Sequence, residues 1–117
     1  MNSEQKITVI GGSGFVGTNF CQLLADHQIP FEIVDLKPSR RFPGKYRTGD
    51  VRDLDSLRSA ITGDVIVNLA AVHRDDVPDT TEYVRTNVLG AENTARICTE
   101  KGIRKIVFTS TVAVYGF

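Results

Sequence analysis

The sequence predicts an α/β fold, a doubly wound parallel sheet with helices on both faces, and three observations carry that reading. Short β-branched apolar runs alternate with segments of helical periodicity along the chain. A glycine-rich stretch, Gly11-Gly12-Ser13-Gly14-Phe15-Val16-Gly17, follows the first of these runs and leads into the first helical pattern. The run Val65-Ile66-Val67-Asn68-Leu69-Ala70 is almost wholly apolar, as a strand covered on both faces should be.

The first strand is expected over Lys6 to Ile10, bounded by glycine. A helix follows from Phe15 to His27, with Phe15, Val16, Phe20, Leu23 and Leu24 at helical spacing. Pro30 closes the connection to a second strand, Phe31 to Val34, which ends on Asp35. Lys37 to Lys45 reads as a basic loop, and Tyr46 to Thr48 as a short third strand. Asp53 can cap a helix to about Ala60 with Leu54, Leu57 and Ile61 on one face. Asp64 opens the fourth strand, and 72–80 is a polar loop. Thr80 or Thr81 caps a long helix to about Lys101, its buried stripe Tyr83, Val84, Val88, Ala91, Ala95 and Cys98. Gly102 ends that helix in a left-handed conformation, and Arg104 to Phe108 is a fifth strand. Right-handed crossovers then give the order 3-2-1-4-5, a Rossmann-like sheet truncated after its fifth strand, with the glycine turn at the switch point where such sheets bind ligands.

Composition narrows the function. With 117 residues the chain is one domain, short for a complete dinucleotide enzyme. Lys+Arg 14 balances Asp+Glu 14, which argues against a nucleic-acid binder. No apolar run has membrane-spanning length, and Met1 to Lys6 carries no secretory signal, so a cytoplasmic protein without a membrane partner is expected. Cys21 and Cys98 sit far apart in helical patterns and read as buried reduced thiols. His27 and His73 lack neighbours at ligand spacing, so no metal site is expected.

The glycines fit two overlapping spacings, G-x-G-x-x-G on Gly12, Gly14 and Gly17, or G-x-x-G-x-x-G on Gly11, Gly14 and Gly17. Either serves a sharp strand-to-helix turn, close approach of a pyrophosphate to bare backbone, and tight helix packing. The helix N-terminus then offers free N–H groups to phosphate oxygens. A plain strand-to-helix turn is the simpler alternative. Asp35 lies 18 positions after Gly17, near the roughly 20 expected of a ribose-binding acid. It would accept both ribose hydroxyls and repel a 2′-phosphate, which favours NAD over NADP; a strand-end acid is the plainer reading. Arg40 or Arg41 could instead pair with a 2′-phosphate, or belong to a solvated loop.

Gly11 to Gly17, Asp35, Gly49-Asp50-Val51, Asn68-Leu69-Ala70-Ala71, Asn87 before Val88, and Ser110-Thr111 with Val114-Tyr115-Gly116 together resemble the extended short-chain dehydrogenase/reductase family. Within it the likeness is to NAD-dependent sugar-nucleotide epimerases and dehydratases. The resemblance implies that Phe15 and Val16 give backbone N–H groups to the pyrophosphate. It implies that Asp50 takes the adenine amino group and Val51 flanks the ring. Leu69, Ala70 and Ala71 would line the cofactor, Asn87 would have a structural and cofactor-side role, and Thr111 would hydrogen-bond the reacting sugar hydroxyl. Plainer roles stand beside these: an Asx turn for Asp50, an exposed helix polar residue for Asn87, a strand end for Thr111. His73, Arg74, Asp75 and Asp76 read as a solvated loop, and His73 stands where some relatives carry lysine.

The family's Tyr-x-x-x-Lys pair does not occur. Tyr115 belongs to Val-Tyr-Gly, and no lysine follows it. Without that pair nothing here takes the hydroxyl proton, so an N-terminal portion of a longer enzyme is expected, inactive alone and self-associating as a homodimer. The implied parent binds a nucleotide-sugar and passes a hydride to NAD and back. A sterol- or alcohol-type dehydrogenase of the same extended family, and a non-catalytic dinucleotide-sensing module, are the alternatives.

Overall fold

The computed structural model describes residues 5–69 and 80–108, with side chains described for 5–69 and 88–107. Five parallel strands form one sheet in the order β3-β2-β1-β4-β5, as the alternation of elements predicts. The strands are β1 Ile7–Ile10, β2 Phe31–Asp35, β3 Tyr46–Thr48, β4 Val65–Asn68 and β5 Lys105–Phe108; the helices are α1 Phe15–Asp26, α2 Leu54–Ala60 and α3 Thr80–Lys101. β1 is central: Ile10 pairs with Val34 on one side and Asn68 on the other.

Strand pleating splits the core into two layers. Val9, Phe31 and Ile33 pack with Cys21 and Leu24 of α1. Ile10, Val34 and Ile66 pack on the opposite face with Leu57, Ala60 and Ile61 and with Ile97 and Cys98 of α3. The two cysteines thus belong to different layers, and both are free and buried. Burial pushes the Cys21 thiol up to about 11 and raises that of Cys98.

Capping fixes several boundaries. The Asp53 carboxylate accepts from the N–H groups of Asp55 and Ser56 and starts α2. Gly102, at φ +72°, ends α3, and the Ile103 N–H returns to the Cys98 carbonyl at 2.9 Å. Arg58 of α2 holds Glu100 of α3 through Nε and Nη2 at 2.8 and 3.0 Å. Thr80 and Thr81 fall inside α3 instead of capping it. β4 stops at Asn68, although Leu69 N–H still donates to the Ile10 carbonyl.

The helical spacing in α1 is borne out, but its buried face is not the whole apolar set, and the stripe expected on α3 needs correction. On α1 the buried positions are Gly17, Cys21 and Leu24, while Phe15 is 85%, Val16 63% and Leu23 52% exposed. Close packing of Gly17 on the glycine turn sets the helix's rotation, and at about 100° per residue this turns positions 15 and 16 outward. On α3 the buried face is Gly90, Thr94, Ile97 and Cys98; Val88 and Ala95 are exposed and Ala91 half-buried. Gly90 lies against Val51, where an added Cβ would sit 3.0 Å from Cγ2, and the Thr94 hydroxyl is satisfied by the Gly90 carbonyl. The side chains of Tyr83 and Val84 lie outside the described residues.

A buried carboxylate ties the N-terminal ends of these elements together. Glu32, 4% exposed at its side chain, accepts from the Thr8 hydroxyl at 2.6 Å and from the Thr62 N–H and hydroxyl at 2.7 and 2.6 Å. Lys6 Nζ lies 3.2 Å away, and Thr8 Oγ1 in turn accepts from the Gly63 N–H. Burial alone would raise the Glu32 pKa, but the hydrogen bonds from Thr62, Thr8 and Lys6 outweigh it and leave the pKa below the ordinary 4.5. A carboxylate with a depressed folded pKa stabilises the fold above its unfolded value and loses that contribution as the pH falls through the folded one. Glu32→Gln presents an amide N–H₂ where two donors already point, so it should lower stability by about 2–4 kcal/mol at neutral pH. It should also flatten the loss of stability expected of the wild type as the pH falls below 4.5. Urea midpoints measured across that range check both effects.

Candidate functional site

At the C-terminal end of β1 the chain turns through Gly11, at φ +82°, a conformation that glycine alone adopts freely. Gly11 N–H donates to the Val34 carbonyl at 2.8 Å, which holds the turn over β2. Gly12 sits against Ile33 and Val9, and Gly17 against the backbone of Gly11 and Gly12. Gly14 differs: a Cβ there would meet nothing closer than the Gly11 carbonyl at 3.9 Å, and the residue is exposed in ordinary extended backbone. Nothing among the described residues requires glycine at 14. The bare surface suits a ligand that must approach the backbone closely. Gly11, Gly12 and Gly17 thus serve turn and packing, while Gly14 leaves an open face.

Gly14 is also the N-cap of α1 and brings no side chain to the first-turn N–H groups, among them those of Phe15 and Val16. Those donors, with the positive end of the helix dipole, suit phosphate oxygens. Ser13 Oγ is buried without a hydrogen-bond partner among the described residues, a polar group left for a ligand to satisfy.

Asp35 ends β2 beside this turn. Its Oδ2 accepts from the Ser13 N–H at 3.0 Å, and its Oδ1 from the N–H groups of Leu36 and Lys37 at 2.7 and 3.3 Å. The acid therefore both faces the site and pins the glycine turn. Of the two arginines that could answer a 2′-phosphate, Arg41 donates Nη1 to Gln22 of α1 at 3.0 Å, while Arg40 is exposed.

Beyond β3, Asp50 is fixed at three points. Its N–H donates to Ser56 Oγ, its carbonyl accepts from Asp53, and its carboxylate is clamped by Arg52. The Arg52 hydrogen bonds hold the Asp50 carboxyl below the ordinary carboxylate range, against a smaller opposing effect of burial. Val51 packs on the α2–α3 layer and accepts from Asn93 Nδ2. Leu69, half-buried, follows β4 and packs against the α1 layer. Asn87 lies on α3, its side chain outside the described residues; Ala70, Ala71, Thr111 and 73–76 also lie outside them. The structure thus brings Gly11 to Gly17, Asp35, Asp50, Val51 and Leu69 to the C-terminal ends of β1 to β4. Sequence reasoning missed Ser13 and Arg52. Ser13 is the one polar residue among the glycines, and Arg52 sits two positions from the acid it clamps, signals that are visible only once those acids matter. The bare backbone at Gly14, the unsatisfied Ser13 hydroxyl and the acid at Asp35 fit a dinucleotide. Among the described residues no group of three His, Cys, Asp or Glu could hold a metal ion, and no helix is long and apolar enough to cross a membrane.

Comparison with known proteins agrees with this geometry. The profile described as the NAD dependent epimerase/dehydratase family matches residues 7–117. The chain is 43% identical over 115 residues to an N-acetyl-alpha-D-glucosaminyl-diphospho-ditrans,octacis-undecaprenol 4-epimerase of Escherichia coli, covering 97% of this chain and 34% of that protein. Its fold matches a short-chain dehydrogenase/reductase superfamily protein from Agrobacterium tumefaciens with bound NAD at a TM-score of 0.81 and 28% identity, over 95% of this chain and 34% of that one. The UDP-glucose 4-epimerase of Thermus thermophilus in complex with NAD matches at a TM-score of 0.78 and 25% identity, over 90% of this chain and 37% of that one. The chain thus spans about a third of the length of these relatives.

Proposed function

The chain belongs to the NAD dependent epimerase/dehydratase family, and on that premise we propose that it is the partial N-terminal NAD-binding domain of a sugar-nucleotide epimerase or dehydratase whose substrate domain lies in the rest of the protein. The observation that carries this reading is the glycine turn, with its open face at Gly14 and Asp35 beside it. The cofactor brings a reversible hydride acceptor, so the sugar carbon can be oxidised and reduced again without net redox change. The chain's residues do the rest. N–H groups of Phe15 and Val16 bind the pyrophosphate, Asp35 accepts the ribose hydroxyls, and Asp50 and Val51 hold the adenine. Leu69, Ala70 and Ala71 line the cofactor's path, with Asn87 on the same side. The Thr111 hydroxyl orients the reacting sugar hydroxyl, and the proton-accepting Tyr-x-x-x-Lys pair belongs outside this portion, which is inactive alone. A cytoplasmic homodimer without nucleic-acid or membrane partners completes the proposal. Balanced charge supports the absence of nucleic acid, and the exposed Val88 and Val107 supply apolar surface for self-association.

A second reading of the substrate is favoured by the 43% identity to an enzyme named for a diphospho-undecaprenol sugar: a sugar carried on a polyprenyl diphosphate, which would bring the enzyme to a membrane surface. One assay addresses both. The full-length protein, supplied with NAD, is given a UDP-hexosamine or the same sugar on a polyprenyl diphosphate. Interconversion of the 4-epimers, or dehydration, without NADH accumulating is expected. NADH released in step with an oxidised product would replace this reading with the dehydrogenase one. In the same assay Thr111→Val should lower turnover by about a hundredfold with NAD affinity nearly unchanged, and Thr111→Ser should be tolerated. Full turnover in the valine variant would reduce Thr111 to a strand end.

A further inference from the structure

The Asp50 carboxylate is almost fully occupied by one neighbour. Arg52 gives it three hydrogen bonds: its backbone N–H and Nε to Oδ1 at 2.9 and 3.1 Å, and Nη2 to Oδ2 at 3.0 Å. An ionised carboxylate has about four lone-pair sites. Oδ1 is filled, and Oδ2 keeps a single acceptor position. The three Arg52 donors hold the carboxylate's orientation, and Ser56 and Asp53 hold the backbone that carries it. The Asp50 side chain is still 23% exposed, so it is not sealed from a ligand.

We propose that Arg52 is a specificity-determining positioning residue, which reduces Asp50 to one fixed acceptor and so selects a purine carrying a 6-amino group over one carrying a 6-oxo group. The inference rests on the reading that Asp50 meets the adenine edge. A freely rotating carboxylate could move away from a carbonyl or take an N–H elsewhere on the ring. A clamped one keeps a lone pair at one fixed point, which accepts an amino N–H and gives a carbonyl oxygen no donor to pair with. Arg52 does this without touching the cofactor, and its forked donors matter more than its charge, since a lysine ammonium would neutralise the acid without fixing its plane.

The test is calorimetric titration of the full-length protein with NAD and with its hypoxanthine analogue, in which the 6-amino group is replaced by oxygen. The wild type should bind NAD at least about tenfold more tightly than the analogue, as expected for a hydrogen bond to a charged group. Arg52→Gln should bring that ratio close to one, chiefly by weakening NAD, and Arg52→Lys should not restore it. Asp50→Ala should also bring the ratio close to one. A structural role for Arg52 would weaken both ligands equally and leave the ratio standing, which would overturn the proposal. If Asp50→Ala removes the preference but both Arg52 variants keep it, the positioning role fails and the adenine contact survives. If the wild type shows no preference, or Asp50→Ala keeps it, the adenine contact itself fails. Should the glutamine variant not fold, the ratio in the lysine variant decides.

Discussion

Gly17→Ala should abolish measurable dinucleotide binding and destabilise the fold by about 3 kcal/mol. The added methyl would lie 2.5 Å from the Gly11 carbonyl oxygen, 2.5 Å from Gly12 Cα and 2.8 Å from the Gly12 carbonyl carbon. All three are backbone atoms of the turn and cannot rotate aside as a side chain would. Relief requires α1 to lift away by roughly an ångström, taking its first-turn N–H groups with it, and displacement on that scale can reduce function about a hundredfold. Gly14→Ala makes the instructive contrast. Its methyl has room within the chain, so the fold should keep its stability, but the methyl stands on the open face and should weaken NAD by a comparable factor. Thermal unfolding and calorimetric titration of the two variants separate packing from access. A Gly14→Ala protein that binds NAD like the wild type would remove Gly14 from the site.

Asp35→Ala should weaken NAD by about a hundredfold and narrow the preference over NADP, since hydrogen bonds to a charged acceptor are lost together with the repulsion of a 2′-phosphate. It also removes the acceptor that pins Ser13, so NADP should gain less than the loss of repulsion alone would give. Asp35→Asn keeps an oxygen for the Ser13 N–H and lacks the charge. It should therefore narrow the NADP gap with a smaller loss of NAD. Equal binding of both cofactors by the wild type would sink the role of Asp35. It would turn attention to Arg40, because the Arg41 guanidinium is engaged by Gln22.

Residues whose structural reason is local were legible. The three-residue β3 stood out as Tyr46-Arg47-Thr48 between Gly44 and Gly49, α2 announced itself through Asp53, and Gly102 marked the end of α3. The strand order followed from alternation and handedness. Reasons that arise from contact across the chain were not legible. Hydropathy cannot register that Gly17 and Gly90 pack closely against neighbouring segments, so the buried face of α1 was not legible and the α3 stripe was right at Cys98 but wrong at Val88 and Ala95. It also assigns a glutamate in a strand to water. Glu32 is buried because Thr8 and Thr62, 24 and 30 positions away, arrive with the donors it needs. At the site, the glycines and Asp35 were readable as a spacing, whereas the grip of Arg52 on Asp50 depends on the rotamers of both side chains.

The central place of β1 bears on how the chain is made. Its residues pair with β2 after a separation of 24 positions, but with β4 only after 58. On a ribosome adding about 5–20 residues per second, the strand that seats the glycine turn therefore waits a few seconds with one edge unpaired. During that interval Ile7 and Val9 are covered by α1 and β2, while Ile10, on the other face, has α2 but not yet β4 or α3 to cover it. Nascent chains stalled before residue 65 should be the ones that chaperones hold.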